Sequence, residues 1–446
     1  MRRPTIEATT ENVLESIKNN TYGRNKDVAE FIQALYMIEG NAFISLDAKW
    51  GDGKTFFVRQ IEQTLNYLIL KEKGEVSEEV QETYKGKKEL EFLENKMYLP
   101  FYYNAWLYDN HNDPLLSLLL IVVKSCESYV NTTIDTKPLS DKLLSVAESL
   151  AYQFTNGNHS WQAALKPSAV KDAFQKKDIL ESVKTAEEIR ECIKTIFDMV
   201  IVERAEKLVI FIDELDRCRP SYAIEMLERV KHYFDDERII FVFSVNKEQL
   251  VHTISKYYGD KFDSTGYLNK FFDFNVFLPE LDPFYKDGFS AVWDEKKLFR
   301  QIAMGLNDYY RLSLRDHLIY KAHLESLVAP RISDYTSEGR ILSIFIPVIV
   351  ILDILDVEAK TLFIQGKGGE ILEDLLRNID ILYDVACGYD KSSINNKGDF
   401  GVGCTILMDV YRYIFANTNN RPYNGTLHVS DNLKKTCLDI CNKFKK

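Results

Sequence analysis

The sequence has few cysteines. Its seven cysteines are an odd number, are scattered along the chain and include no C-x-x-C pair. Cysteines used in this way are typical of reduced, buried thiols in a cytosolic protein. We therefore expect a cytoplasmic protein whose cysteines pack in the core rather than bind metal.

Long apolar runs and a signal peptide are also lacking. The longest apolar stretch, Ile341 to Leu352, contains Pro347 and falls well below the ~20 residues that span a bilayer. Polar residues follow Met1, where a signal peptide would have an apolar run. These absences predict a soluble protein with no membrane span.

Basic residues are outnumbered by acidic ones. The chain has 56 Lys and Arg against 67 Asp and Glu, which gives a formal net charge of −11. This balance argues against broad binding to nucleic acids or anionic membranes through bulk charge. A local basic groove is still compatible with it, so nucleic-acid binding is left open.

The stretch from Phe43 to Phe57 has the layout of a phosphate-binding P-loop. A short, strand-like apolar run is followed by a small-residue turn, and Gly53-Lys54-Thr55 then opens a segment with helical spacing. Backbone N–H groups and the helix N-terminus of such a loop point at the phosphates. Lys54 is predicted to reach the β and γ phosphates, and Thr55 to place its hydroxyl on Mg²⁺. The loop residues predicted to bind ATP are Trp50, Gly51, Asp52, Gly53, Lys54, Thr55 and Phe56.

The loop departs from the usual pattern at one position. Ala48 stands where G-x-x-x-x-G-K-[ST] has its first glycine. A bare Gly-Lys-[Ser/Thr] occurs by chance in roughly one chain in five at ordinary glycine content. The assignment therefore needs a partner carboxylate on another strand.

A pair of acids supplies that partner. The apolar run from Leu208 to Ile212 is typical of a strand buried on both faces, and it ends in Asp213 and Glu214. Asp213 is predicted to hold Mg²⁺ through its water shell, because Mg²⁺ prefers one or two carboxylates together with phosphate oxygens. Glu214 is predicted to orient and deprotonate the attacking water. The alternative is an acidic loop after a core strand.

Two further residues are candidates because of their position. Asn246 follows a buried strand predicted at residues 239–245, and we expect it to contact the γ-phosphate or the attacking water. Arg24 lies one helix ahead of the P-loop strand. It either borders the adenine or simply belongs to the turn that starts a helix.

Arginines just past the carboxylate strand are candidates for an arginine finger. Arg219 is predicted to reach the nucleotide of a neighbouring subunit, because one loop lysine rarely neutralises the transferred phosphoryl group. The alternative is an internal ion pair of Arg217 or Arg219 with Asp216. The finger hypothesis predicts a homo-oligomer in the ATP-bound state.

Strand-like and helical segments alternate through the first part of the chain. This alternation predicts an α/β P-loop fold with a doubly wound parallel sheet and the ligand at the carboxyl ends of the strands. We place the nucleotide-binding domain at residues 1–285, with helical insertions at about 66–97 and 131–184. Residues 286–446 have mainly helical patterns and are predicted to form a lid and C-terminal helical domain.

Taken together, these stretches resemble the KAP family of P-loop NTPases, within the STAND class related to AAA+ proteins. The resemblance covers roughly residues 20–320, and its most specific parts are Asn104-Ala105-Trp106 and the Asp-Glu-Leu-Asp-Arg-Cys-Arg-Pro run. The stretches that carry it are Trp50–Thr55, Tyr103–Trp106, Ile212–Pro220, Phe241–Asn246, Tyr267–Phe271 and Leu314–Asp316.

The resemblance implies ATP hydrolysis used as a conformational switch, with a partner protein or effector as a further expectation. Related proteins bring an arginine from the helical domain onto the γ-phosphate, which here implies Arg315; the alternative is a surface arginine paired with an acid. Many members carry transmembrane helices between the two ATP motifs, which this chain lacks, and some bacterial relatives act in defence against phage. The other hypothesis is a nucleotide-stabilised interaction scaffold with little turnover. The presence of both Asp213 and Glu214 favours hydrolysis.

Overall fold

Five parallel strands form the sheet at the centre of the first part of the chain. The computed structural model describes residues 7–130 apart from 92, 95 and 112, scattered positions between 187 and 201, and then 205–279, 297–327, 336–387, 402–416 and most of 429–439. The strand order is β2-β3-β4-β1-β5, and every pairing is parallel. The strands are β1 Ala42–Asp47, β2 Tyr98–Asn104, β3 Lys207–Asp213, β4 Ile239–Val245 and β5 Phe274–Phe277. The predicted α/β fold with a doubly wound parallel sheet is confirmed.

Both faces of the sheet are buried along β1 to β4, because alternate residues of these strands enter two different cores. In β3, Leu208, Ile210 and Ile212 join one apolar cluster, whereas Val209 and Phe211 join the other. The near-continuous apolar runs that predicted these strands are what a parallel sheet covered by helices on both faces requires.

Helices cover the two faces. The first core is completed by the helix that follows β2 and by the helices that follow β3 and β4, and the second by the helices around β1. In chain order they are α1 Thr10–Lys18, α2 Arg24–Tyr36, α3 Lys54–Lys73, α4 Glu78–Tyr84, α5 Lys88–Glu91, α6 Pro114–Val130, α7 Pro220–Tyr233, α8 Lys247–Tyr258 and α9 Ser264–Phe271. The insertion predicted at 131–184 lies outside the described residues, and the insertion predicted at 66–97 begins within α3.

Polar side chains end the strands and begin the helices near the carboxyl edge. Strand β2 stops at Asn104, because the Asn104 side chain accepts a hydrogen bond from the Leu107 amide at 3.2 Å and starts a short turn. The Asp113 carboxylate accepts from the amides of Leu115 and Leu116 at 2.9 and 3.0 Å and caps α6. These caps fix where the chain leaves the sheet.

The chain divides into two compact units, Glu7–Lys286 and a second that contains Asp287–Lys446. The second unit is helical, as predicted, and its core is built around an almost fully buried helix at Ser337–Leu355, which contains Pro347. Among the described residues, no helix combines the length and the apolar character that a membrane crossing would need. The helices of the second unit are α10 Lys297–Tyr310, α11 Leu314–Leu327, α12 Ser337–Leu355, α13 Val357–Ile364, α14 Gly369–Asn378, α15 Asp380–Cys387 and α16 Val402–Phe415.

Candidate functional site

The P-loop joins the end of β1 to the start of α3. Gly51 and Gly53 have φ values of 95° and 89°, which side chains rarely adopt, so the turn depends on these two glycines. Ala48 is not among the described residues with positive φ, so alanine fits there without backbone strain. Its carbonyl accepts a hydrogen bond from Lys54 Nζ at 2.5 Å, and the Lys49 carbonyl accepts from the same ammonium at 3.1 Å. The departure at Ala48 is therefore compatible with a P-loop.

Lys54 is a buried cation at the first position of α3. Burial lowers the pKa of its ammonium, and the carboxylates of Asp216, Asp213 and Asp52 oppose that shift. The Asp52 side chain accepts a hydrogen bond from the Lys49 amide at 3.0 Å, and burial raises its pKa. An ammonium beside the free N–H groups of a helix start is an arrangement suited to a polyphosphate.

Asp213 has hydrogen-bond donors at both carboxylate oxygens. Oδ2 accepts from the Thr55 hydroxyl at 2.7 Å and from the Tyr102 hydroxyl at 3.0 Å, and Oδ1 accepts from the Glu214 amide at 3.0 Å. The residue is only 1% exposed. A hydroxyl in contact with a carboxylate is a donor set of the type that Mg²⁺ prefers, so Thr55 and Asp213 fit the metal predicted for them.

Glu214 leaves the strand in an unusual backbone conformation. Its φ is 61°, in the left-handed region that non-glycine residues rarely occupy, and such conformations cluster at functional sites. Its carboxylate pairs with Arg217 Nη1 at 2.8 Å and accepts from the Asn104 amide group at 3.2 Å. Burial raises the pKa of Glu214, and Arg217 opposes the shift. A carboxyl with a raised pKa is closer to the strength that a general base needs at neutral pH.

A family model described as the KAP family P-loop domain matches residues 24–297, more than half of the chain. The chain belongs to the KAP family. It therefore contains a nucleotide-binding P-loop NTPase domain, and the resemblance inferred from the sequence is confirmed. The match includes Lys54, Asp213 and Asn246 and ends before Arg315. No curated protein matches the chain.

Within the KAP domain, Asp216 ties the P-loop to β4. The Trp50 indole N–H donates to Asp216 Oδ2, and the Asn246 backbone amide also donates to this buried carboxylate, whose pKa is raised by burial. The Asn246 side chain accepts from the Gln249 amide at 3.2 Å and caps α8. Asn246 therefore lies beside the P-loop, and its contact with the γ-phosphate or the attacking water stays a prediction.

The ion pair proposed from the sequence for Arg217 or Arg219 with Asp216 is replaced by other contacts. Arg217 pairs with Glu214, because the left-handed turn at Glu214 brings the two side chains together. Arg219 is exposed, and its backbone amide and guanidinium contact Asp109.

The remaining predicted residues lie at different places. Arg24 begins α2, where its guanidinium donates to the Pro279 carbonyl at 2.6 Å and pairs with Asp27 at 2.8 Å. Phe56 packs against the apolar cluster that contains α3. Arg315 is in α11, in the second compact unit. An adenine contact of Arg24 and a phosphate contact of Arg315 stay predictions.

Two residues of the site were not predicted from the sequence. Tyr102 and Asn104 lie at the end of β2 and contact Asp213 and Glu214 respectively. The register of β2 against β3 places Asn104 beside Asp213. The available signal was a pair of polar groups at the end of an apolar, aromatic stretch, but which strand lies beside that stretch could not be read from the sequence.

Proposed function

We propose that this KAP-family protein binds ATP with Mg²⁺ at its P-loop, hydrolyses the β–γ phosphoanhydride, and uses the nucleotide state as a conformational switch. The observation that supports the proposal is the contact between Thr55 and Asp213, 2.7 Å apart, with Lys54 in the same loop. Thr55 and Asp213 come from segments that are distant in sequence. Their meeting at the carboxyl edge of a parallel sheet is the placement expected of a nucleotide site.

Each side chain has a distinct task in this proposal. Lys54 binds the β and γ phosphates, and Thr55 and Asp213 hold the metal. Bound Mg²⁺ supplies charge neutralisation on the phosphate oxygens. Asn246 contacts the γ-phosphate or the attacking water from the end of β4.

Glu214 accepts the proton of the attacking water. One of its oxygens is engaged by Arg217 and the other by Asn104. A carboxylate has about four lone-pair positions, so each oxygen keeps capacity for a further donor. Its raised pKa favours proton transfer near neutral pH, because the transfer is most efficient when the pKa of the base lies close to the working pH.

The proposal extends to assembly and to a lid. Arg219 in a neighbouring subunit or Arg315 in the helical unit would supply the additional positive charge that phosphoryl transfer uses. ATP would then promote self-association, which light scattering with ATP, with ADP and without nucleotide measures directly. A role in bacterial anti-phage defence, a partner effector and a cytoplasmic location rest on the family resemblance and on composition.

The second candidate function is a nucleotide-stabilised scaffold with little turnover. The ion pair between Arg217 and Glu214 favours it, because a base held by a cation is a weaker proton acceptor. In that case ATP would bind and stabilise the fold without release of phosphate.

Steady-state phosphate release by the purified full-length protein distinguishes the two. We expect release from saturating ATP with Mg²⁺ and none when EDTA replaces the metal. The Glu214→Gln protein, prepared in the same way, controls for contaminating ATPases. Tight ATP binding by wild-type protein with release no faster than in this control would reject hydrolysis and support the scaffold.

A further inference from the structure

Tyr102 lies on the same face of the sheet as the P-loop helix and points its hydroxyl at Asp213. The hydroxyl donates to Asp213 Oδ2 at 3.0 Å, and the Thr55 hydroxyl donates to the same oxygen at 2.7 Å. The other oxygen, Oδ1, accepts from the Glu214 amide. The carboxylate is thus held by donors on both sides.

The Tyr102 ring is itself held in place. The Arg59 guanidinium of α3 lies over the ring, 4.7 Å from its centroid. Arg59 in turn pairs with the buried Glu62 at 2.5 Å. A cation over an aromatic face is attracted by the ring quadrupole, so Arg59 restricts the orientation of Tyr102.

Tyr102 is also set to remain a donor. An ionised carboxylate has acceptors only, so the Tyr102 hydroxyl is the donor in this hydrogen bond. The Thr55 hydroxyl differs, because its oxygen is the group proposed to contact the metal. Tyr102 is therefore a second donor to Asp213 Oδ2 that is not itself proposed as a metal ligand.

We propose that Tyr102 is a positioning residue that orients the Asp213 carboxylate for Mg²⁺, with Arg59 holding the tyrosine ring. The inference rests on the proposed function, since it concerns the metal that accompanies the nucleotide. Partners that orient a metal-binding carboxylate are typically worth about 10- to 100-fold in metal affinity. Loss of the hydroxyl should therefore weaken metal engagement without removing the phosphate site.

The test is the Tyr102→Phe variant, which keeps the ring and removes the donor. Equilibrium binding of a fluorescent ATP analogue is measured in EDTA and across a Mg²⁺ titration. We expect affinity in EDTA to equal that of the wild type, which also shows that the variant is folded. The Mg²⁺ concentration for half-maximal tightening should rise about tenfold.

Tyr103→Phe is the matched control. Tyr103 is the next residue of β2, but its hydroxyl faces the opposite core and contacts Ser117 at 2.9 Å and Tyr222 at 2.6 Å. The Tyr103→Phe substitution should lower thermal stability and leave the Mg²⁺ dependence of analogue binding unchanged. Arg59→Gln, which keeps the Tyr102 hydroxyl, should shift the curve in the same direction as Tyr102→Phe but less.

The outcomes separate this inference from the proposed function. If wild-type protein binds the analogue more tightly with Mg²⁺ and the Tyr102→Phe variant has the same Mg²⁺ dependence, the role of Tyr102 is overturned while the nucleotide site stands. An equal shift in Tyr103→Phe would also overturn it, because a general loss of packing would then explain both. If wild-type protein binds the analogue with no dependence on Mg²⁺, the proposed function fails and the role of Tyr102 with it.

Discussion

The two edges of the parallel sheet carry acids in opposite electrostatic conditions. At the amino edge, hydrogen bonds from Arg238 lower the pKa of Asp236, and the two side chains are 2.6 Å apart. At the carboxyl edge, burial raises the pKa of Glu214 and of Asp216. The ionised acid is favoured at the first edge and penalised at the second.

This difference separates a structural edge from a reactive one. A paired acid with a lowered pKa stabilises the folded chain at neutral pH, whereas buried acids with raised pKa values are held at a free-energy cost. Perturbed acids gathered in one place are a mark of functional sites. A bound cation would relieve the cost at the carboxyl edge, so we expect substitutions there to affect nucleotide chemistry and those at the amino edge to affect stability.

The largest effect should come from Glu214→Gln at the carboxyl edge. The change keeps the shape of the side chain and removes the base, so turnover should fall by about 10²- to 10⁴-fold while ATP binding persists. Phosphate release and calorimetry measure the two quantities. Glu237→Gln, the same change at an exposed position of the amino edge, should leave both unaltered. Wild-type turnover in Glu214→Gln would mean that another residue activates the water.

Lys54→Ala should give the next largest effect. It removes charge-assisted contacts to the phosphates, and ATP affinity should fall at least tenfold, which is about 1.4 kcal/mol. Lys49→Ala is the matched control, because Lys49 lies in the same loop with an exposed side chain. Calorimetric affinity that is unchanged in Lys54→Ala, or equally reduced in Lys49→Ala, would contradict the P-loop assignment.

The sequence predicted the sheet better than it predicted the contacts at its edge. The strand at 239–245 was predicted with the bounds that the structure has, because its seven buried residues are all apolar except Ser244. Asn104 and Tyr102 were missed as site residues, since their contacts depend on which strand lies beside β2. The pairing of Arg217 was also missed, because it follows from the left-handed backbone at Glu214, a single dihedral angle that residue types do not specify.

Glu62, which pairs with Arg59 in α3, gives the stability of the folded chain a pH dependence. Burial raises the pKa of Glu62 to about 7 from an ordinary value of 4.5, and Arg59 opposes the shift. Between these two values the folded chain holds a proton that the unfolded chain has lost. The free energy of unfolding should therefore fall as pH rises from about 5 to 7.5, on the order of 2 kcal/mol from this residue.

Glu62→Gln isolates that contribution, because glutamine stays neutral across the range. Urea denaturation of both proteins at several pH values measures it. We expect the variant to lose this downward slope. The difference in free energy of unfolding, variant minus wild type, should therefore be more negative at pH 5 than at pH 7.5. Identical slopes in the two proteins would show that Glu62 titrates at its ordinary value.

The smallest effect should come from Lys207→Met, which tests the amino edge directly. Lys207 Nζ donates to the carbonyls of Ile38 and Gly40 at 2.8 and 2.9 Å, so it closes the connection between α2 and β1 onto the start of β3. Methionine keeps most of the apolar stem and leaves both carbonyls without this donor. The free energy of unfolding should fall by about 1–2 kcal/mol. Lys256→Met, at an exposed position of α8, should change it by less than about 0.5 kcal/mol.

Because the amino edge lies at the opposite end of the strands from Lys54 and Asp213, Lys207→Met should retain wild-type ATP affinity and Mg²⁺ dependence. A tenfold loss of ATP affinity in a variant that remains folded would break the division between the two edges, since it would require the amino edge to take part in binding.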